Sequence, residues 1–183
     1  MTQPKIPIAM DLVLTPEEIS QMVKKIAKNI DEDFLGLLSP KEKIVVLGVL
    51  NGGFIFMADL VRELKTPLEV DFIRLSSYQD SISSSQQVVM LKAPEKTLKD
   101  RHILIVEDLA DCGLTLNWLR GFVLTKEPAS VKIAVTVDKI ERRQMEVQLD
   151  YVGFQLEEGF LVGYGLDYAQ DYRNLKGIYK LRF

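Results

Sequence analysis

The chain has 183 residues, 47% of them hydrophobic and 27% charged, the balance of one globular domain rather than of a disordered or fibrous chain. Its net charge of −3 and isoelectric point near 5.3 lack the basic footprint of broad nucleic-acid binding, so no nucleic-acid partner is expected. The single cysteine, Cys112, excludes an internal disulfide framework, and no apolar run reaches the roughly 18 residues of a membrane span, so no membrane partner is expected.

The N-terminal stretch MTQPKIPIAM has no basic start followed by an apolar core, so no signal peptide is read and a cytoplasmic location is expected. Thr15-Pro16-Glu17-Glu18 predicts a helix start: Thr15 caps, Pro16 suits the first position and Glu18 completes a capping box. Ile19, Met22, Val23, Ile26 and Ile30 then share one face at helical spacing. Residues 44–50, IVVLGVL, predict a strand covered on both faces. Asn51-Gly52-Gly53 breaks it, and Met57, Leu60, Val61 and Leu64 resume at helical spacing, the beginning of a βαβ unit.

Residues 70–75 predict another strand, 76–87 a mobile polar loop, and 88–91 a short strand or hairpin arm. Residues 103–106 predict a buried strand, 107–115 a turn, 116–124 a helix and 131–137 the next strand. Shorter apolar pieces follow at 151–154, 160–164 and 178–181. Alternating strands and helices imply a mainly parallel twisted sheet flanked by helices, an α/β fold. Lys41, Lys43, Arg142 and Arg143 read as solvated faces. Trp118 reads as packing, and His102, the only histidine, as a strand-edge residue.

The chemistry concentrates in residues 103–115, ILIVEDLADCGLT. A buried strand delivers Glu107 and Asp108 at its carboxyl end, where open α/β sheets place ligands. Asp111, Cys112, Gly113 and Thr115 then turn into a helix, whose exposed N–H groups and dipole suit a phosphate. Paired carboxylates above that turn suit a metal or ribose hydroxyls, and Asp111 is placed to accept a proton. Acids at strand ends also cap helices or face solvent, and a receiver-type domain clusters them similarly. That domain is shorter and would leave the C-terminal third of this chain unused.

The run Val106-Glu-Asp-Leu-Ala-Asp-Cys-Gly-Leu-Thr-Leu116 resembles the phosphoribosyl-pyrophosphate (PRPP) signature of type I phosphoribosyltransferases. Residues 49–60, VLNGGFIFMADL, resemble the pyrophosphate loop and following helix of the hypoxanthine–guanine branch. Residues 70–78, VDFIRLSSY, resemble the strand leading to its mobile loop, and residues 160–168 with Arg173 its purine-binding hood.

The resemblance implies one domain over residues 1–183, with a core at about 40–145 and a hood from about 1–15 and 150–183. It implies conversion of hypoxanthine or guanine plus PRPP to IMP or GMP plus pyrophosphate, with Mg2+ as cofactor. Glu107 and Asp108 would bind ribose hydroxyls, directly or through Mg2+, and Asp111 would be the general base near purine N7. Residues 111–115, including Leu114, would hold the 5′-phosphate. Leu50, Asn51 and Gly52 would contact pyrophosphate through a strained or cis peptide at Leu50–Asn51, with Arg173 contributing. Ser77 and Tyr78 would belong to the closing loop. Lys139 would donate to the 6-oxo group, Phe160 would stack on the base, the Leu161 backbone would bond its edge, and Asp167 would help hold a second Mg2+ through water.

By residue type alone, Lys139 reads as a surface lysine and Phe160 as a core aromatic. Cys112 replaces the threonine usual in that phosphate loop, and Asn51 a lysine or arginine common in the pyrophosphate loop. The resemblance further implies a homodimer or homotetramer. A xanthine preference, or a nucleotide-sensing regulator on the same fold, are the other readings.

Overall fold

The computed structural model describes residues 7–79 and 86–183, with side chains described for residues 7–76 and 88–183. Nine strands and three helices are described: β1 (Ala9–Leu14), α1 (Pro16–Phe34), β2 (Ile44–Leu50), α2 (Phe54–Glu63), β3 (Leu68–Gln79), β4 (Gln86–Lys92), β5 (His102–Ala110), α3 (Leu114–Leu124), β6 (Ser130–Lys139), β7 (Tyr151–Leu156), β8 (Phe160–Val162) and β9 (Ile178–Arg182).

Helix α1 starts where its caps place it. The Thr15 hydroxyl accepts from Glu18 N at 3.2 Å and Glu18 Oε2 accepts from Thr15 N at 2.8 Å, so two of the orphan N–H groups of that end are satisfied. Ile19, Val23, Ile26 and Ile30 are buried as the spacing predicts, and Met22 is half-buried.

Six strands form one sheet in the order β4-β3-β2-β5-β6-β7. All neighbours in it run parallel except β3 and β4. The continuous apolar runs of β2 and β5 exist because both faces are covered. Ile44, Val46, Leu104 and Val106 pack with α1 and α2 on one face, while Val45, Leu47, Ile103 and Ile105 pack with α3 on the other. Trp118 packs there too, stacked on Phe122 at 5.7 Å between centroids. His102 opens β5 in the sheet interior and bonds Ser130 Oγ at 2.8 Å.

The main sheet reaches further than the sequence implied. Glu107 pairs with Val135 within β5–β6, so the turn expected at 107–115 begins after Ala110. Ser76, Ser77 and Tyr78 pair with Val89, Val88 and Gln87, so a hairpin occupies both ends of the segment expected to be a mobile loop. Backbone pairing with Val89 and Val88 holds Ser76 and Ser77 extended, although serine has no strand preference of its own. The middle of that expected loop, residues 80–85, lies outside the described residues.

A second sheet has three antiparallel strands in the order β1-β9-β8. Strand β7 instead pairs with β6 in the larger sheet. The hood boundary expected at 150 therefore moves, and the small sheet takes its first C-terminal strand at Phe160. Residues 1–6 of the expected hood lie outside the described residues. Among the described residues no helix is long and apolar enough to cross a membrane.

Buried Asp31, on α1, ties α1 to the turn after α2. It accepts from Thr66 N at 2.8 Å, Thr66 Oγ1 at 2.6 Å and Lys65 N at 3.0 Å. Replacing Thr15 with alanine is expected to cost about 1 kcal/mol. Replacing Asp31 with alanine is expected to cost about 3 kcal/mol, because it strands several buried donors. Urea midpoints at unchanged slope check both, and equal losses would contradict the burial argument.

Candidate active site

Strand order reverses between β2 and β5: β3 lies to one side of the pair, and β6 and β7 lie to the other. Loops leaving the carboxyl ends of the two central strands therefore diverge and leave a crevice. A cleft of about 280 Å3 opens there, lined at its floor by Glu107, Asp108, Asp111, Cys112, Gly113 and Thr115. Its other wall includes Lys139 from the end of β6 and Phe160, Leu161 and Asp167 from the hood. Six parts of the chain supply this one cavity.

Glu107 is buried, and its Oε1 accepts from Asp108 N at 3.1 Å. Burial pushes the Glu107 carboxyl well above the usual carboxylate range, and the adjacent Asp108 charge pushes it further. The pair gains when a cation or hydroxyl donors arrive, since two neighbouring carboxylates otherwise repel.

The turn after β5 carries Cys112 and Gly113, and α3 opens with Leu114 and Thr115. Gly113 has φ +84°, and a Cβ there would strike the carbonyl oxygen of Met145, so both the conformation and the space require glycine. Segment 143–145 braces this turn. Gln144 N and Met145 N donate to the Cys112 carbonyl at 3.0 and 3.1 Å. Arg143 reaches under it, donating to the carbonyls of Asp111 at 3.0 Å, Ala110 at 3.2 Å and Lys139 at 3.3 Å, while also pairing with Asp138. Cys112, Gly113 and Thr115 of this turn and helix start line the cleft.

Lys139 is only 6% exposed, which overturns the surface reading its type suggests. Its Nζ lies 3.2 Å from Glu141 Oε2 and 4.0 Å from Asp111 Oδ1. That Asp111 oxygen is buried and has no hydrogen-bond partner among the described residues. A carboxylate oxygen on the cleft wall with no donor from the protein itself is available to accept one from a ligand.

Across the cleft, the Phe160 ring is partly exposed and meets Tyr168 edge-on at 5.2 Å. It also meets Phe183 edge-on at 6.2 Å. These neighbours hold an aromatic face toward the opening. Leu161 is buried beside it. Asp167 pairs with Arg173 at 2.8 Å and accepts from Gln170 N at 2.8 Å. Arg173 also donates to the Gly165 carbonyl at 2.8 Å.

The loop after β2 begins with a cis peptide at Leu50–Asn51. Leu50, Asn51 and Gly52 do not line the cleft themselves, but they stand directly behind it. A Cβ on Gly52 would strike the Asp108 carboxylate, and a Cβ on Gly165, at φ +100°, would strike the Gly52 carbonyl oxygen. Loop, acidic pair and hood thus touch through two glycines. Ser77 and Tyr78 lie in the backbone of β3, and their side chains fall outside the described ones.

A phosphoribosyl transferase domain model matches residues 12–169. The chain belongs to the phosphoribosyl transferase family. It is 41% identical over 180 residues to the hypoxanthine-guanine phosphoribosyltransferase of Leishmania donovani, covering 96% of this chain and 85% of that one. It is 43% identical over 140 residues to the hypoxanthine phosphoribosyltransferase of Haemophilus influenzae, covering 76% and 78%. The crystal structure of the Trypanosoma cruzi hypoxanthine phosphoribosyltransferase superposes with a TM-score of 0.86 at 40% identity, covering 94% of this chain and 96% of that one.

In this phosphoribosyl transferase, most residues expected at the site converge on one cleft. Leu114, Arg173 and the loop after β2 form its supports instead. Sequence reasoning missed four contributors. Arg143, read as solvated, is held beneath the turn after β5, and its neighbour Arg142 lines the cleft. Glu141 meets Lys139, and Phe183 meets Phe160. None has a local signature, because each partner lies on a different element or beyond a turn.

Arg143→Met is expected to lower stability by about 3 kcal/mol by leaving Asp138 buried and uncompensated. The double variant with Asp138→Leu should recover part of that loss. Urea unfolding of the single and double variants measures the coupling, and strictly additive losses would show that the pair does not act as a unit.

Proposed function

We propose that this chain is a purine-salvage phosphoribosyltransferase that joins hypoxanthine or guanine to the ribose 5-phosphate of PRPP and releases pyrophosphate. The observation that carries this reading is the juxtaposition, in one cleft, of buried Lys139 with the unpartnered Asp111 oxygen. Relatives named for hypoxanthine or hypoxanthine-guanine phosphoribosyl transfer, at 43% and 41% identity, support it.

The base docks against the Phe160 ring with its 6-oxo group toward Lys139, and the Leu161 backbone bonds its edge. An ammonium donates well to a carbonyl and faces an amino group badly, so adenine is disfavoured. N9 attacks C1′ as the bond from C1′ to pyrophosphate breaks, and Asp111 accepts the proton leaving N7. The N–H groups of residues 111–115 hold the 5′-phosphate at the start of α3. Glu107 and Asp108 accept from the ribose hydroxyls. The backbone of Leu50, Asn51 and Gly52 contacts the pyrophosphate, with Arg173 adding charge. Ser77 and Tyr78 belong to the segment that covers the site, which keeps water from the reacting sugar.

The donor set fits Mg2+. Glu107 and Asp108 supply hard carboxylate oxygens, and among the described residues no group of three or more metal-type side chains forms a cage. Magnesium commonly takes one or two carboxylates and completes its shell with phosphate oxygens and water. Bound with PRPP, it supplies neutralising charge to the departing pyrophosphate. Asp167 would help hold a second ion. The enzyme is a cytoplasmic homodimer or homotetramer on this reading.

PRPP-dependent turnover of hypoxanthine, guanine, xanthine and adenine in parallel tests the assignment. The first two should react and adenine should not. Preferential use of xanthine or adenine would overturn the base assignment, and nucleotide binding without turnover would favour a regulator.

Asp111→Asn should lower kcat about 10²–10⁴-fold while leaving IMP affinity nearly unchanged. Wild-type turnover by that variant would remove Asp111 from the proton transfer. Lys139→Ala should weaken 6-oxopurine binding by about 1.5–3 kcal/mol, with the Kd for PRPP unaltered. Equal losses for base and PRPP would contradict a role in reading the base.

A further inference from the structure

Lys139 has two carboxylates within reach, and they compete for it. One Glu141 oxygen, Oε2, lies 3.2 Å from Lys139 Nζ and accepts from Gly159 N at 3.3 Å. Asp111 Oδ1 is further from the ammonium, at 4.0 Å. Gly159 immediately precedes Phe160. A single side chain therefore links the end of β6 to the hood turn that carries the stacking ring.

We propose that Glu141 is a positioning residue for base recognition: it holds the Lys139 ammonium off Asp111 and ties it to the turn bearing Phe160. This rests on the purine phosphoribosyl transfer proposed above. A buried ammonium needs a counter-charge. Without Glu141, the nearest is Asp111, and a close pair between them would occupy both the donor meant for the 6-oxo group and the oxygen meant for the N7 proton. With Glu141 in place, one of three ammonium N–H groups is committed elsewhere, and Asp111 Oδ1 accepts no hydrogen bond from the protein. The same contact sets the spacing between the Lys139 donor and the Phe160 ring. Hydrogen bonding from Gly159, then from Lys139, holds the Glu141 carboxyl below the usual range, so it remains charged at neutral pH.

The test uses Glu141→Gln, alone and combined with Lys139→Ala. Glutamine keeps an acceptor for Gly159 N but loses the charge that attracts Lys139. The single variant should lose kcat/KM for hypoxanthine by about 5- to 20-fold, the range expected for directly coupled neighbours. Its KM for PRPP and its urea midpoint should not change. In the Lys139→Ala background the same substitution should have less than about a twofold effect. Wild-type behaviour of Glu141→Gln would mean that Glu141 only anchors the Gly159 turn, and equal losses in both backgrounds would mean that it does not act through Lys139. Either result overturns the proposal. IMP affinity, measured on the same four proteins by calorimetry, separates this claim from the reaction itself. An unaltered chain that binds IMP but turns over no hypoxanthine refutes the reaction, and the Glu141 claim is then decided by the same comparison of IMP affinities. A chain that does neither refutes both.

Discussion

The reversal of strand order between β2 and β5 is the constraint from which the site follows. Two parallel strands lie side by side, and the connections leaving their carboxyl ends depart in opposite directions. No side chain from either loop can fill the gap between them, so a crevice persists at that edge. The Glu107–Asp108 pair, toward the carboxyl end of β5, lines this crevice, and the loop that follows β2 stands behind it. Everything chemical in this protein is arranged around a gap that topology leaves open.

What keeps the lips in register is close backbone contact rather than long side chains. The absence of a side chain on Gly52 lets Asp108 lie against that loop, and Gly165 brings the hood onto the same loop. The small sheet is thereby attached at the site, so β8 presents Phe160 at a defined height above β6. Arg143 performs the matching task on the other lip, with one guanidinium fork bonding three carbonyls and pairing with Asp138. A planar fork of donors suits that geometry in a way that a lysine ammonium does not.

The electrostatics of the cleft suit charged and hydrogen-bonding ligands. Glu107 and Asp108 crowd like charges in a buried place, and burial raises Glu107 as a result. Asp111 keeps a buried oxygen unsatisfied, and Lys139 is divided between two carboxylates. The crowded Glu107–Asp108 pair is relieved by a cation or hydroxyl donors, and Asp111 can accept from a purine N–H. The large apolar clusters on the two faces of the sheet supply the stability that lets such groups persist.

Local rules were legible in the sequence wherever one element sufficed. The Thr15 capping box, the buried stripe of α1, the doubly covered run of β2 and the acids toward the carboxyl end of β5 follow from periodicity, capping chemistry and turn residues. The acidic signature and the hood segments also carried the family, because the residues nearest the ligands lie in short contiguous runs. Tertiary structure alone decided the burial of Lys139, the bracing role of Arg143, the contact of Glu141 with Gly159, and the membership of β7 in the larger sheet. It also decided that Ser76 to Tyr78 extend as strand, since their pairing partners come from β4. The physical reason is the same in each case: propensity acts within a few residues, whereas burial, strand pairing and ion pairing depend on which distant segment the fold delivers to the same place.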